Sequence, residues 1–402
     1  MTRTLSTASA IDAHLRAATE DPLRQCPRLV VMAARSDVPV LYSGHAGLAT
    51  ADKRIQEDSI FELFSCTKLV GSIAALQLVE QGRLALEDDA SLYAEELRDL
   101  KVFTGFDEHG ELVLEDKERP VTVRMLFTHT AGFPYIYDEP RGQAVAEKLG
   151  LGLAPYRLNA TRQWLTKMPL LHQPGAHFKY GTSVDWLTYI VEKISGLDLE
   201  TYVQKNIFRP LGITDISFND NPVQIDMAEA NKSDPSQPHL LRRPIPYSKT
   251  LRYGGSGLKG SAPSYLRILR ALLRGGALED ESSRILRPET VDMMFRPHLQ
   301  NAQQVLDLRK EHYEGLEPFS ARAGEAPQDT NFGLGGALGG TGLASGRGAR
   351  ALHWSGLANT FWVIDRERDL CFLLFNNILP YGQGAMWDVW EKVEPELYKG
   401  LP

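Results

Sequence analysis

Cysteine is scarce in this chain: Cys26, Cys66 and Cys371 are the only three in 402 residues. None of their spacings matches a metal knuckle or a redox pair, so neither a disulfide framework nor a cysteine-ligated metal organises the fold, and the usage fits small buried thiols in a reducing compartment. No apolar run approaches the roughly 18 residues of a membrane span. Met1-Thr2-Arg3-Thr4-Leu5-Ser6-Thr7 lacks the apolar stretch of a secretory signal. A cytoplasmic protein with no membrane association is expected. A basic stripe is missing too. The formal net charge is -7, and Leu240-Leu241-Arg242-Arg243, the nearest approach to a cationic cluster, reads as a solvated loop, so nucleic acid is not an expected partner.

Two common signatures are also absent. Gly-x-Ser-x-Gly does not occur, and Gly340-Thr341-Gly342-Leu343-Ala344-Ser345 misses the dinucleotide fingerprint at its last glycine. That segment reads as a flexible loop. His172 and His177 stand five apart with no third ligand in view, which favours surface or packing histidines over a metal site. No metal and no cofactor is implied.

What is present is an ordinary core-forming composition, with 43% hydrophobic and 24% charged residues, which argues against overall disorder. Residues Ser9 to about Ala18 read as a short amphipathic helix, and 29–33 and 38–42 as a strand pair around Ser36-Asp37. From Ser65 to about Phe218 the signals are mainly helical, near 122–129, 144–149, 161–167, 184–195 and 199–207. Strand signals return at 352–354, 360–364 and 371–375, and a last helix is expected from about Gly384 to Leu397. Two stretches, 219 to about 250 and 300–329, carry little periodicity. The predicted class is therefore α+β: an antiparallel sheet built from N- and C-terminal strands flanked by helices, plus a mostly helical second lobe at about 65–218. All of it is read as one domain over 1–402.

Chemistry enters with Ser65 and Lys68 in Phe64-Ser65-Cys66-Thr67-Lys68-Leu69. Three residues apart on a helix, the two side chains share a face, so an amine can help ionise a hydroxyl. About one such pair is expected by chance in a chain this long, and a second exists, Ser256 and Lys259. The second sits among Gly254, Gly255, Gly257 and Gly260, which disfavour a helix. After Ser65, Leu69, Ile73, Leu76 and Val79 keep helical period and Gly82 follows as a cap. Ser65 is the candidate nucleophile and Ser256 the decoy. Cys66, one step round the helix, is read as packing.

A nucleophile needs a proton acceptor and an oxyanion site. Tyr180, in Phe178-Lys179-Tyr180-Gly181-Thr182 after a Pro174-Gly175 turn, is the candidate base partner, because a nearby ammonium can lower a phenol's pKa. In His353-Trp354-Ser355-Gly356-Leu357 a strand ends at a glycine and can aim a backbone N–H at the cleft opposite the Ser65 amide.

Taken in order, these pieces resemble the serine β-lactamase, penicillin-binding-protein and class C esterase superfamily, whose pattern is Ser-x-x-Lys, then Tyr-x-Asn or Tyr-Ser, then Lys-Thr-Gly or a His/Trp-x-Gly variant. Met125-Leu126-Phe127-Thr128-His129-Thr130-Ala131-Gly132 and Pro210-Leu211-Gly212-Ile213 resemble further segments of that superfamily. His129 is read there as structural. The likeness spans about residues 25 to 395. Thr182 stands where the family has an amide and Trp354 where it has a lysine, which makes β-lactam hydrolysis doubtful and points to esterase-type members. Ala75-Leu76-Gln77, Gly105-Phe106-Asp107, Asp185-Trp186 and Gly196-Leu197-Asp198-Leu199-Glu200 resemble the fungal acyltransferase branch that esterifies a polyketide alcohol in lovastatin biosynthesis.

The resemblance implies a catalytic Ser65, Lys68 and Tyr180, an oxyanion hole from the amides of Ser65 and Leu357, and substrate contacts from Trp354, Gly356, Thr182, Trp186 and Tyr135. Trp362 and Phe133 are further candidates for apolar lining. The expected reaction is ping-pong acyl transfer from a thioester or ester donor, on an acyl carrier protein or coenzyme A, to a small-molecule alcohol. Hydrolysis of small esters is the first alternative, and a non-catalytic ligand-binding protein on the same scaffold the second. Whether Lys68 or Tyr180 is the base stays open at this point, since the two titrate as a unit.

Overall fold

The computed structural model describes residues 5–135, 139–151, 162–219, 225–231, 234, 237–242, 251–281, 283–310, 329–382 and 384–401. Its centre is an antiparallel sheet of eight strands: β1 (Arg28–Ala34), β2 (Tyr42–Thr50), β3 (Lys53–Arg54), β4 (Asn331–Phe332), β5 (Ala337–Leu338), β6 (Leu352–Gly356), β7 (Thr360–Asp365) and β8 (Leu370–Phe375). Their spatial order is β4-β5-β6-β7-β8-β1-β2-β3. The two ends of the chain therefore meet along the β1–β8 ladder, where Val31 pairs with Leu374.

Strand residues alternate between the two faces, as the period of two requires. Val30, Met32, Trp362, Ile364, Leu373 and Phe375 enter one core, and Leu29, Val31, Phe361, Val363, Phe372 and Leu374 enter the other. The second core is closed by the terminal helices α1 (Ala8–Ala18) and α5 (Gly384–Lys399). The first is filled by α2 (Thr67–Glu80), α3 (Ser183–Ser195) and α4 (Ala262–Leu273). Burial on both faces explains why β1 and β8 read as unbroken apolar runs rather than as alternating strands.

The helix that begins just after Ser65 is the most enclosed of these. All twelve residues from Thr67 to Leu78 are buried, the pattern of a helix packed on every side. A Cβ at Gly71 would lie 2.9 Å from Thr188 Cγ2 and 3.3 Å from Val184 Cγ1, so the bare glycine is what lets α3 close on α2.

Several expectations are corrected. Strand β2 starts at Tyr42 rather than at Val38, because Arg35 N–H bonds back to Val38 O and turns the chain there. A hairpin of Val102–Phe106 with Leu112–Glu115 stands inside the stretch expected to be helical; its turn is organised by Asp107 Oδ1, which accepts from the amides of His109 and Glu111. Leu240–Arg242 is a strand paired with Met227–Glu229 rather than a solvated loop, while Arg243 lies outside the described residues. The aperiodic stretch after Gln300 holds a helix, Ala302–Arg309, started by Asn301 Oδ1 on the Gln304 amide. Residues 311–328 of that stretch, and 220–224 and 243–250 of the earlier one, lie outside the described residues. Helices α4 and Pro288–Met294 were not anticipated.

Candidate active site

The turn that carries Ser65 is built by a short ladder. Phe61-Glu62 pairs with Lys259-Gly260, and Leu63 N–H continues it onto Leu258 O. Phe64 then takes φ +45°, a left-handed conformation that costs a bulky residue energy and must be held by its surroundings. Ser65 follows in a three-residue 3-10 turn, Phe64–Cys66, immediately ahead of α2. It thus precedes the long helix instead of lying within it. Tyr265 Oη donates to Cys66 O at 2.8 Å and the Leu258 amide donates to Thr67 Oγ1 at 3.2 Å, which clamps the turn from the α4 side.

Lys68 Nζ lies 3.2 Å from Ser65 Oγ and donates to Tyr135 Oη and Gly255 O, each at 2.8 Å. It also sits 5.0 and 4.8 Å from the ring centres of Tyr135 and Tyr180. Burial pushes its pKa down to about 7, opposed by the Asp185 carboxylate. The neutral amine is therefore accessible at physiological pH. Cys66 is fully buried against Thr360, and burial raises its thiol to about 12. It carries no thiolate for chemistry.

Tyr180 forms a hydrogen bond with Ser65, and its oxygen also receives the Trp354 indole N–H at 3.3 Å. Its pKa is raised, because burial outweighs the Ser65 and Trp354 hydrogen bonds and Asp185 adds to the rise. The expectation of a phenol acidified by a lysine ammonium is thereby reversed: the amine gives up its charge more readily than the phenol gains one. His129, itself at φ +55°, lies with its ring 4.8 Å from Tyr180, and its Nδ1 accepts the Gly181 N–H at 3.2 Å. That is the structural role expected of it.

The strand β6 brings its end against the Ser65 turn. A Cβ at Gly356 would lie 2.5 Å from Leu63 O and 3.1 Å from Phe64 Cβ, so only glycine permits this approach. Leu357 follows with its side chain 40% exposed, and among the described residues its amide has no backbone partner. The Ser65 amide opens a helical turn, where N–H groups have no partner within the helix.

Other candidates fall elsewhere. Trp186 has no exposed surface and stacks on Phe133 and Tyr189 at 5.6 and 5.9 Å; it is core, not pocket wall. Trp362 and Phe133 are core too. Thr182 is buried at the start of α3, its carbonyl taking the amides of Asp185 and Trp186. Tyr135 reaches Lys68 rather than an open cavity, and Trp354 holds Tyr180. Gly255 and Asp185 were missed as site residues. Asp185, 2% exposed, accepts the Gly255 N–H through Oδ1 at 2.8 Å and so fixes the carbonyl that holds Lys68. The run Gly254-Gly255 beside the decoy serine was the available signal. His172 and His177 rings lie 5.3 Å apart, and His177 pairs with Asp307 at 2.9 Å. Among the described residues no group of three or more His, Cys, Asp or Glu is arranged to hold a metal, and no helix is long and apolar enough to cross a membrane.

An amine, a phenol and a hydroxyl converge on one face of a sheet whose end carries Trp-x-Gly, and residues 15–389 match the beta-lactamase family. The chain belongs to the beta-lactamase family. Within it, the chain is 30% identical to monacolin J acid methylbutanoyltransferase of Aspergillus terreus, over 93% of this chain and 92% of that protein. It is 33% identical to the lovastatin esterase of Penicillium rubens, over 89% and 90%. Its fold superposes on a mutant of simvastatin synthase from Aspergillus terreus with a TM-score of 0.84 and 28% identity, covering 98% of this chain and 94% of the other.

Proposed function

We propose that this protein is a serine acyltransferase that moves an acyl group from a thioester or ester donor, through acyl-Ser65, to the alcohol of a small-molecule acceptor. The observation that carries this reading is Lys68 Nζ placed 3.2 Å from Ser65 Oγ while two other partners fix it in place. In its neutral form the amine accepts the Ser65 proton as Oγ attacks the donor carbonyl. The amides of Ser65 and Leu357 receive the developing oxyanion. Tyr180, kept protonated by burial, passes a proton to the leaving thiolate or alkoxide and recovers one through Lys68. The acceptor hydroxyl then repeats the sequence in reverse, releasing the ester and restoring Ser65.

The names of relatives over nearly the whole chain support acyl transfer, two of them methylbutanoyltransferases named for ML-236A carboxylate and for monacolin J acid. An acyl carrier protein or coenzyme A as the donor's carrier is the finer part of this proposal. Hydrolysis is kept as the second reading because a relative of 33% identity is named an esterase. Transfer and hydrolysis differ only in what reaches the acyl-enzyme. Incubation with a short branched acyl thioester and a panel of secondary alcohols, with products resolved by mass spectrometry, separates them. Ester product in excess over free acid is expected; free acid alone with every acceptor would leave the esterase.

A further inference from the structure

Beside Lys68 lies a small, partly open cavity of about 10 Å³. Its walls include Lys68, Ser72 and His129, with Phe127, Val184, Phe332 and the Trp354 of the site supplying apolar sides. That is room for a single water, which needs two or more polar partners to stay. The Ser72 hydroxyl, fully buried one helical turn beyond Lys68, has no hydrogen-bond partner among the described residues. An orphaned buried hydroxyl is costly unless something satisfies it. His129 supplies the second group. Its Nδ1 already accepts the Gly181 amide, which assigns the ring proton to Nε2 and leaves that N–H as its donor.

We propose that this cavity is an internal water site in which one water accepts the His129 Nε2–H and hydrogen-bonds Ser72 Oγ, tethering the helix of Lys68, which follows Ser65, to the segment that carries Tyr180. The tether is short and specific. Ser72 rides on α2 in register with Lys68, while His129 holds the Tyr180 loop twice, through Nδ1 on Gly181 and its carbonyl on the Lys179 amide. Its ring also rests against Tyr180. Burial and the adjacent lysine keep the imidazole neutral, as the assigned tautomer requires. Ser72 and His129 are therefore positioning residues for Tyr180, and that part of the proposal rests on the acyl-transfer reading; the water itself does not.

A high-resolution crystal structure of the unmodified protein tests the site without any substrate. One ordered water between Ser72 Oγ and His129 Nε2 is expected; a dry cavity overturns the proposal. Nitrogen-15 NMR of the histidines supplies the second measurement: His129 should carry its proton on Nε2, and Ser72→Val, which fills the void, should shift that N–H and lower kcat several-fold with KM little changed. An unshifted His129 resonance in folded S72V overturns the site. A shifted resonance with unchanged kcat overturns the positioning role. Intact-mass detection of acyl-Ser65 is read separately, so failure of the water site and failure of the acyl-transfer reading are distinguishable.

Discussion

The chain contains two Ser-x-x-Lys segments, and the fold treats them in opposite ways. At Ser65 the backbone is forced through a left-handed Phe64 into a 3-10 turn and then a fully enclosed helix, and Lys68 Nζ arrives 3.2 Å from Ser65 Oγ. At Ser256 the chain is not helical: Gly257 takes φ +114°, and Lys259 ends in a two-residue strand paired with Phe61-Glu62. Identical spacing has chemical meaning only where the backbone coils as a helix, because in a 3-10 turn or an α-helix positions i and i+3 face the same way. The second segment is nevertheless not idle. Its ladder supports the nucleophile turn, and Gly255, just ahead of Ser256, gives its carbonyl to Lys68.

Exchanging the two serines should produce the largest contrast. Ser65→Ala is expected to abolish the acyl-enzyme and cost at least about 10³-fold in kcat/KM, read by intact mass and steady-state kinetics, whereas Ser256→Ala should stay within about twofold. Should S256A lose activity and S65A keep it, the assignment of nucleophile and decoy would be inverted. The lysines follow. Lys68→Met should lose about 10²–10⁴-fold in kcat, the usual range for a positioned acid–base group, while Lys259→Met should act on thermal stability with kcat largely retained.

A subtler way to break the comparison is to disturb what the second segment lends to the first. A Cβ at Gly255 would fall 2.6 and 2.7 Å from the Asp185 carboxylate oxygens and 2.7 Å from Tyr135 Oη. Gly255→Ala should therefore displace the carbonyl that holds Lys68 and lower kcat about tenfold or more through misalignment alone. A variant with unchanged kcat would remove Gly255 from the site.

The smallest effect is in pH dependence. Lys68 must be neutral to accept a proton, and burial brings its pKa down to about 7, so kcat/KM should climb with pH through an apparent value near 7 and level off above it. Loss of activity on raising the pH through that window would contradict the amine as base. The same shift bears on stability. With the folded-state pKa near 7 and the ordinary value at 10.5, the unfolded chain binds more protons between them, so this group makes stability increase with pH across that range. Denaturant titrations of wild type and Lys68→Met at pH 7 and pH 9.5 should differ in that slope.

Much of the scaffold was legible because it depends on local pattern. The apolar runs at 29–33, 360–364 and 371–375, the period after Ser65 and the helix at 184–195 depend on residue type and spacing, and the structure places elements at each. The hairpin at 102–115 was hidden because its strands carry exposed Phe106, Val113 and Leu114 and so lack the alternation that marks a half-buried sheet. Helix α4 was overlooked although Ser261 caps it on the Ser264 amide and Pro263 stands in its first turn. In the candidate site, Ser65, Lys68, Tyr180 and the Trp354-Ser355-Gly356 strand were proposed by type and order, and the structure brings them together. Trp186 and Thr182 could not be placed, since an aromatic or a threonine at a helix start looks the same whether it faces a cleft or a core.

The sequence by itself determined the residue types able to form an acyl-serine, their order along the chain and the apolar periods that build a two-sided sheet, because each depends on neighbours a few positions away. Local periodicity also favoured Ser65 over Ser256, but only the tertiary structure decided what surrounds that candidate pair. It brings Tyr135, Tyr180, Gly255 and Asp185 to Lys68 from distant parts of the chain, and the burial this creates lowers the pKa of the amine to about 7 while keeping the proton on the phenol. Desolvation of that kind is a property of the assembled packing, and no single segment contains it.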